Sequence, residues 1–153
     1  MRPHLEFASA VWNQLSAAEI KKIEGVQHRA TGMVIELRGM SYYQRLEKLG
    51  FTDLESRRRR GDLIQFFKVI KGYEEVDIGI KRRENIGRKH THQIVRELCK
   101  DCNTRNRFLT NRIATTWNTL PSHVVEAISV NSFKARLDKH MAEGLLRRSM
   151  YRA

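Results

Sequence analysis

The sequence predicts a mainly helical, all-α protein. Apolar residues recur at helical spacing, serine residues stand where they can cap helices, and glycines and a proline stand where helices would end. With 153 residues, 41% of them hydrophobic, the chain is long enough to bury one ordinary core. We expect three parts: a helical unit over residues 1–72, a basic connector over 73–104 and a helical region over 105–153.

The first helical patterns lie before residue 40. Residues 2–13 carry an apolar stripe that ends at Trp12 and needs a covering surface. Ser16-Ala17-Ala18-Glu19 fits a capping box, which predicts a long helix to about Arg38 that Gly39 ends. The expected inner face of this helix is Ile20, Ile23, Val26, Ala30, Met33, Val34 and Leu37.

Two further helices complete the N-terminal unit. Ser41 begins a short helix that Gly50 ends. Thr52-Asp53-Leu54-Glu55 fits a second capping box and predicts a helix that ends near Gly72. The expected core face of this helix is Leu63, Ile64, Phe66, Phe67 and Ile70.

The connector is the most basic part of the chain. Residues 81–107 hold nine basic and three acidic side chains, which gives a net charge of +6. The alternation from Gln93 to Leu98 fits a short strand, and little else in the connector is suited to a core.

A helical hairpin is predicted after the connector. Leu109, Ile113 and Trp117 recur at i+4 spacing, and Pro121 ends that helix. Ser129 can cap a final helix. The apolar stripe of that helix is Phe133, Leu137, Met141 and Leu145.

The charge balance indicates a polyanionic partner. Lys and Arg number 29 against 17 Asp and Glu, a net charge of +12, and such an excess favours nucleic acid through counterion release. An acidic membrane surface is the competing partner, but the apolar stripes serve as core faces and lack interfacial anchors. With no spanning segment, no signal peptide and only two cysteines, we expect no membrane and an intracellular location, in the nucleus or cytoplasm.

An ordered set of short segments gives a family resemblance. It includes RPHLEFASAVWN at 2–13, IEGVQHRAT at 23–31 and WNTLPS at 117–122, together with residues 41–50, 54–64 and 130–137. In this order and spacing the set resembles the C-terminal, thumb and post-thumb part of reverse transcriptases from jockey-type, LINE-like non-LTR retrotransposons. The resemblance implies a fragment of an RNA-directed DNA polymerase whose partners are RNA, an RNA–DNA hybrid and the catalytic palm of the parent polymerase.

Catalysis by this chain alone is not expected. Reverse transcriptases hold two metal ions with palm aspartates, two of which are adjacent. The aspartates of this chain are Asp53, Asp62, Asp77, Asp101 and Asp138, and no two are adjacent. Neither a phosphate-binding glycine loop nor a hydrolase motif occurs, so we predict no catalytic residue and no cofactor.

The candidate phosphate contacts are arginines and a lysine. Within Arg57-Arg58-Arg59-Arg60, helical rotation puts Arg57 and Arg58 on the polar side and Arg59 near the core side. A solvated charged face is the alternative reading of this run. The full predicted set is Arg57, Arg58, Arg82, Arg83, Arg88, Lys89, Arg105 and Arg107.

Two alternatives to nucleic-acid binding stay open. His90, His92, Cys99 and Cys102 form H-x-H followed by C-x-x-C, which could hold zinc, although scattered polar residues are the favoured interpretation and no metal site is assigned. The chain could also be a protein-interaction or structural remnant whose helix faces dock onto another protein.

Overall fold

The computed structural model describes residues 8–84 and 90–150, the last seven of these as helical backbone only. The mainly helical prediction is confirmed. In chain order the helices are α1 (Ser9–Trp12), α2 (Ala17–Gly32), α3 (Tyr42–Lys48), α4 (Leu54–Ile70), α5 (Asn103–Asn106), α6 (Leu109–Thr119), α7 (Ser122–Val125) and α8 (Val130–Met150). No helix in these described ranges has the length and apolar character needed to cross a membrane.

Contacts divide the chain inside α4 into two compact units, Met1–Asp62 and Leu63–Ala153. The predicted division into parts 1–72, 73–104 and 105–153 stays a prediction.

Capping side chains set the helix starts in the N-terminal unit. Ser16 forms the predicted capping box with Glu19, and Ser41 forms a second box with Gln44. The predicted box at Thr52 is wrong. Asp53 caps α4 instead, because its Oδ1 accepts a hydrogen bond from the Ser56 amide at 2.7 Å.

The long helix ends earlier than predicted. α2 ends at Gly32, and a 3-10 turn, Ile35–Leu37, follows before Gly39, whose φ of 85° suits glycine. Arg45 of α3 contacts this end of α2, because its guanidinium donates to the carbonyl oxygens of His28 (3.4 Å) and Met40 (2.9 Å) and to the Thr31 hydroxyl (3.3 Å). A buried arginine from another helix thus hydrogen-bonds to the last turn of α2, which the apolar pattern of the sequence does not indicate.

Three residues of the predicted inner face are exposed instead of buried. Met33 is 81% exposed, and Ala30 and Val34 are also exposed. Ile35, which was not assigned to that face, is 72% exposed. Leu37 is buried as predicted.

An aromatic core organises the C-terminal unit. Phe67 and Phe133 stack with their ring centroids 4.1 Å apart, and Phe66 meets Trp117 edge to face at 4.8 Å. All four side chains are fully buried, which confirms Trp117 as a core residue. α8 begins as predicted, because the Ser129 hydroxyl accepts from the Ser132 amide at 3.1 Å.

The connector contributes more to this core than the sequence indicated. Ile94 is 1% exposed, and His90 and Gln93 are also buried. The predicted strand is reduced to one antiparallel bridge between Arg82 and Ile94, flanked by hydrogen bonds between residues 81–83 and 93–95.

Candidate nucleic-acid interface

Asparagine side chains hold the extended segment 90–99 against helix α6. Asn118 Oδ1 accepts from the Ile94 amide at 3.0 Å, and Asn118 Nδ2 donates to the Ile94 carbonyl at 2.8 Å. One side-chain amide thus pairs with both backbone groups of Ile94, as a neighbouring strand would. Ile94 can therefore be buried without leaving its backbone unsatisfied.

Two further asparagines continue this attachment toward α5. Asn106 pairs with both backbone groups of Cys99, accepting from the amide at 2.7 Å and donating to the carbonyl at 2.6 Å. Asn111, which is 5% exposed, accepts from the Glu97 amide at 2.9 Å and donates to the Arg105 carbonyl at 2.9 Å. The backbones of Glu97 and Arg105 are thereby fixed by the same buried side chain.

Trp117 and two histidines secure the start of the segment. Trp117 Nε1 donates to the His92 carbonyl at 2.7 Å, and His90 Nε2 donates to the Trp117 carbonyl at 3.0 Å. Burial lowers the pKa of His92, and the positive charges of Lys71 and Arg82 lower it further.

Basic side chains around the extended segment are exposed to solvent. Among the residues of the stretch 81–105 that the structure describes, six combine a positive charge with exposure: Lys81, Arg82, Arg83, Arg96, Lys100 and Arg105. Arg107 is half-buried, and the predicted contacts Arg88 and Lys89 lie outside the described residues. We call the six exposed residues the basic segment surface.

Glu97 brings two parts of this surface together. Its carboxylate pairs with Lys81 Nζ through Oε1 and with Arg105 Nη2 through Oε2, the latter at 3.6 Å. The hydrogen bond from Lys81 lowers the pKa of Glu97, and the nearby Arg105 charge acts in the same direction. The predicted residues Arg82, Arg83 and Arg105 therefore belong to neighbouring stretches of one surface.

The predicted arrangement of the arginine run in α4 is wrong. Arg58 is 2% exposed, and Arg59 is exposed and pairs with Glu55 at 3.0 Å. At about 100° per residue, Arg58 lies about 40° from Leu54, whereas Leu63 lies about 180° from Leu54. Because both Leu54 and Leu63 are buried, the two halves of α4 bury different faces. A helical wheel fitted to the apolar residues of the second half therefore assigns the arginines of the first half to the wrong faces.

Burial limits what Arg57 and Arg58 can contact from solvent. Arg57 is half-buried and donates from Nη2 to Gln27 Oε1 at 2.6 Å. Both arginines belong to the N-terminal unit, whereas the basic segment surface belongs to the C-terminal unit. Arg58 has too little exposed area to contact a phosphate from solvent.

The zinc pattern does not assemble. In residues 8–84 and 90–150, no group of three or more His, Cys, Asp or Glu side chains is placed to hold a metal ion. His90 instead bonds to the Trp117 carbonyl, and Cys99 and Cys102 are free thiols. The buried hydrogen bond of His90 favours a structural role for that side chain.

Several residues of the surface were missed from the sequence. Lys81, Arg96 and Lys100 belong to the counted charge excess, but nothing in their local pattern separates them from other connector residues. For the asparagine side chains the sequence offered one signal: Asn118 lies in WNTLPS, one of the segments that carry the family resemblance. No family model, curated protein or solved structure matches the chain.

Proposed function

We propose that this chain is the thumb and post-thumb part of a non-LTR retrotransposon RNA-directed DNA polymerase, where it binds RNA and RNA–DNA hybrid without reading sequence. The polymerase identity rests on the family resemblance of the sequence. The binding role is supported chiefly by the basic segment surface. Of its six exposed cations, Arg96 lies on the segment 90–99, which is attached to α6, and the others lie on the stretches before and after it. Catalysis belongs to the palm of the parent polymerase, and the expected location is the nucleus or cytoplasm.

The physical basis of the binding is phosphate neutralisation. Lysine and arginine side chains that replace condensed counterions give affinity that falls steeply with salt and depends little on base sequence. Attachment of the segment also matters, because side chains on a fixed backbone lose less conformational freedom on binding than those on a free linker. A shape-selective contact with an A-form-like hybrid needs no base readout.

Titration of a labelled RNA–DNA hybrid at about 50 and 200 mM salt tests this proposal. The double variant Arg82→Glu/Arg83→Glu should weaken binding at least tenfold and flatten the slope of log K against log salt by about 1.5, since each phosphate contact contributes about 0.7–0.9. The matched control is Lys21→Glu/Lys22→Glu, which makes the same charge change on the exposed face of α2. Binding that ignores salt, or equal weakening by both variants, contradicts the proposal.

A second function, docking onto another protein, is favoured by one observation. Met33 and Ile35, which lie two positions apart in the chain after α2, are largely exposed, and exposed apolar groups of this kind mark contact sites. The partner would be the palm of the parent polymerase or another protein. Size-exclusion chromatography with and without RNA separates the two functions, because docking predicts self-association that RNA does not change.

A further inference from the structure

We infer that Lys81 and Arg105 form a phosphate-binding site that the Glu97 carboxylate occupies when no nucleic acid is bound. This inference rests on the proposed function and deepens it by assigning one particular phosphate contact. The ligand class is a phosphodiester oxygen pair of a nucleic-acid backbone. Glu97 acts as the internal competitor for that ligand.

The cations come from separate stretches of chain but converge on one carboxylate. Oε1 of Glu97 pairs with the Lys81 ammonium, and Oε2 pairs with the Arg105 guanidinium. A phosphodiester offers the same pattern, two anionic oxygens on one centre, to an ammonium and a guanidinium. Side chains that converge on a carboxylate in this way are therefore also placed to receive a phosphate.

The backbone of the site is fixed independently of the ion pairs. Lys81 lies beside the bridge, where its carbonyl accepts from the Val95 amide at 2.8 Å. Glu97 and Arg105 are both attached to Asn111, which is buried. Removing the Glu97 carboxylate therefore leaves all three backbone positions in place.

The side chains remain accessible for exchange. The Lys81 and Arg105 side chains are 67% and 63% exposed, and that of Glu97 is 31% exposed. Ion pairs at this exposure are weak and screened by salt, so a nucleic-acid phosphate can displace the carboxylate. The competition lowers affinity without blocking the site.

The test is Glu97→Gln, which keeps the side-chain shape and the backbone hydrogen bond but removes the charge. The matched control is Glu84→Gln, which removes the same charge from an exposed residue two positions after Arg82. We expect Glu97→Gln to tighten binding of an RNA–DNA hybrid about threefold to tenfold, and Glu84→Gln to tighten it less than twofold. The salt slope should steepen by about 0.9 per cation released, and only in Glu97→Gln.

A double-mutant cycle locates the effect. In a Lys81→Ala/Arg105→Ala background, Glu97→Gln should tighten binding no more than Glu84→Gln does, because the cations it would release are absent. Equal effects of Glu97→Gln and Glu84→Gln in the otherwise unchanged protein overturn the inference while leaving the proposed function intact. Salt-insensitive or undetectable binding in the wild type and in Glu97→Gln overturns both.

Discussion

Replacing Asn118 by alanine tests whether one side-chain amide holds the extended segment 90–99 to α6. The change removes both hydrogen bonds to the backbone of Ile94, a residue that is only 1% exposed. A buried backbone group left without a partner costs about 1–3 kcal/mol, so two such groups cost about 2–6 kcal/mol. Alanine recovers about 0.7 kcal/mol through its better helix propensity. We therefore expect a net loss of about 1–5 kcal/mol in the free energy of unfolding.

Urea denaturation followed by tryptophan fluorescence measures this loss, and hydrogen exchange of the Ile94 amide reports on the segment itself. Asn118→Asp should fall between wild type and alanine, because it can accept from the Ile94 amide but cannot donate to the carbonyl. Asn131→Ala, at an exposed position of α8, is the matched control and should change stability by less than about 0.5 kcal/mol. A cost below about 1 kcal/mol for Asn118→Ala, with the Ile94 amide still protected, would refute the reasoning.

Three further changes probe the C-terminal unit. Phe67→Ala removes a fully buried ring stacked on Phe133 and should cost about 3–5 kcal/mol by urea denaturation, whereas Phe108→Ala, at a ring 40% exposed, should cost less than about 1 kcal/mol; similar costs for the two contradict the assigned core. Ser129→Ala removes the cap of α8 and should cost about 1 kcal/mol, which Ser129→Asp should restore; no difference between the two variants speaks against the cap. The lowered pKa of His92 means that the unfolded chain binds a proton more readily than the folded one. The contribution of His92 to the free energy of unfolding is therefore fully present above the pKa of the unfolded chain, about 6.5, where His92 is neutral in both states. It is lost as pH falls through the lower pKa of the folded state. Urea midpoints between about pH 7.5 and 5.5 should show this dependence, and His92→Gln should reduce it; an unchanged pH profile in His92→Gln would rule His92 out as its source.

The sequence predicted the helix starts that are set by interactions between residues close together in the chain. Ser16, Ser41 and Ser129 cap helices through side chains that reach backbone amides three residues away, so the sequence alone contains the whole interaction. The contacts of Arg45 with the last turn of α2 could not be predicted in this way, because Arg45 reaches that turn from another helix. The burial of Arg58 was likewise hidden, since the buried face of α4 changes between its halves.

The candidate interface was only partly visible in the sequence. Its charge excess could be counted, and Arg82, Arg83 and Arg105 were named from it. Its attachment could not be predicted, because Asn106, Asn111 and Asn118 act on residues that lie 6 to 24 positions away. Polar residues in a helix usually indicate a solvated face, and only the fold shows that these three instead satisfy an extended backbone.

The pairing around Ile94 also bears on solubility. Residues 81–83 bond to one hydrogen-bonding edge of the 93–95 stretch, and Asn118 bonds to the other. An uncovered edge invites strand addition from a second molecule, which is a common start of aggregation. The asparagine therefore protects the chain against intermolecular β-pairing as well as fixing its fold, and any substitution that loses this amide should make the protein prone to precipitate at high concentration.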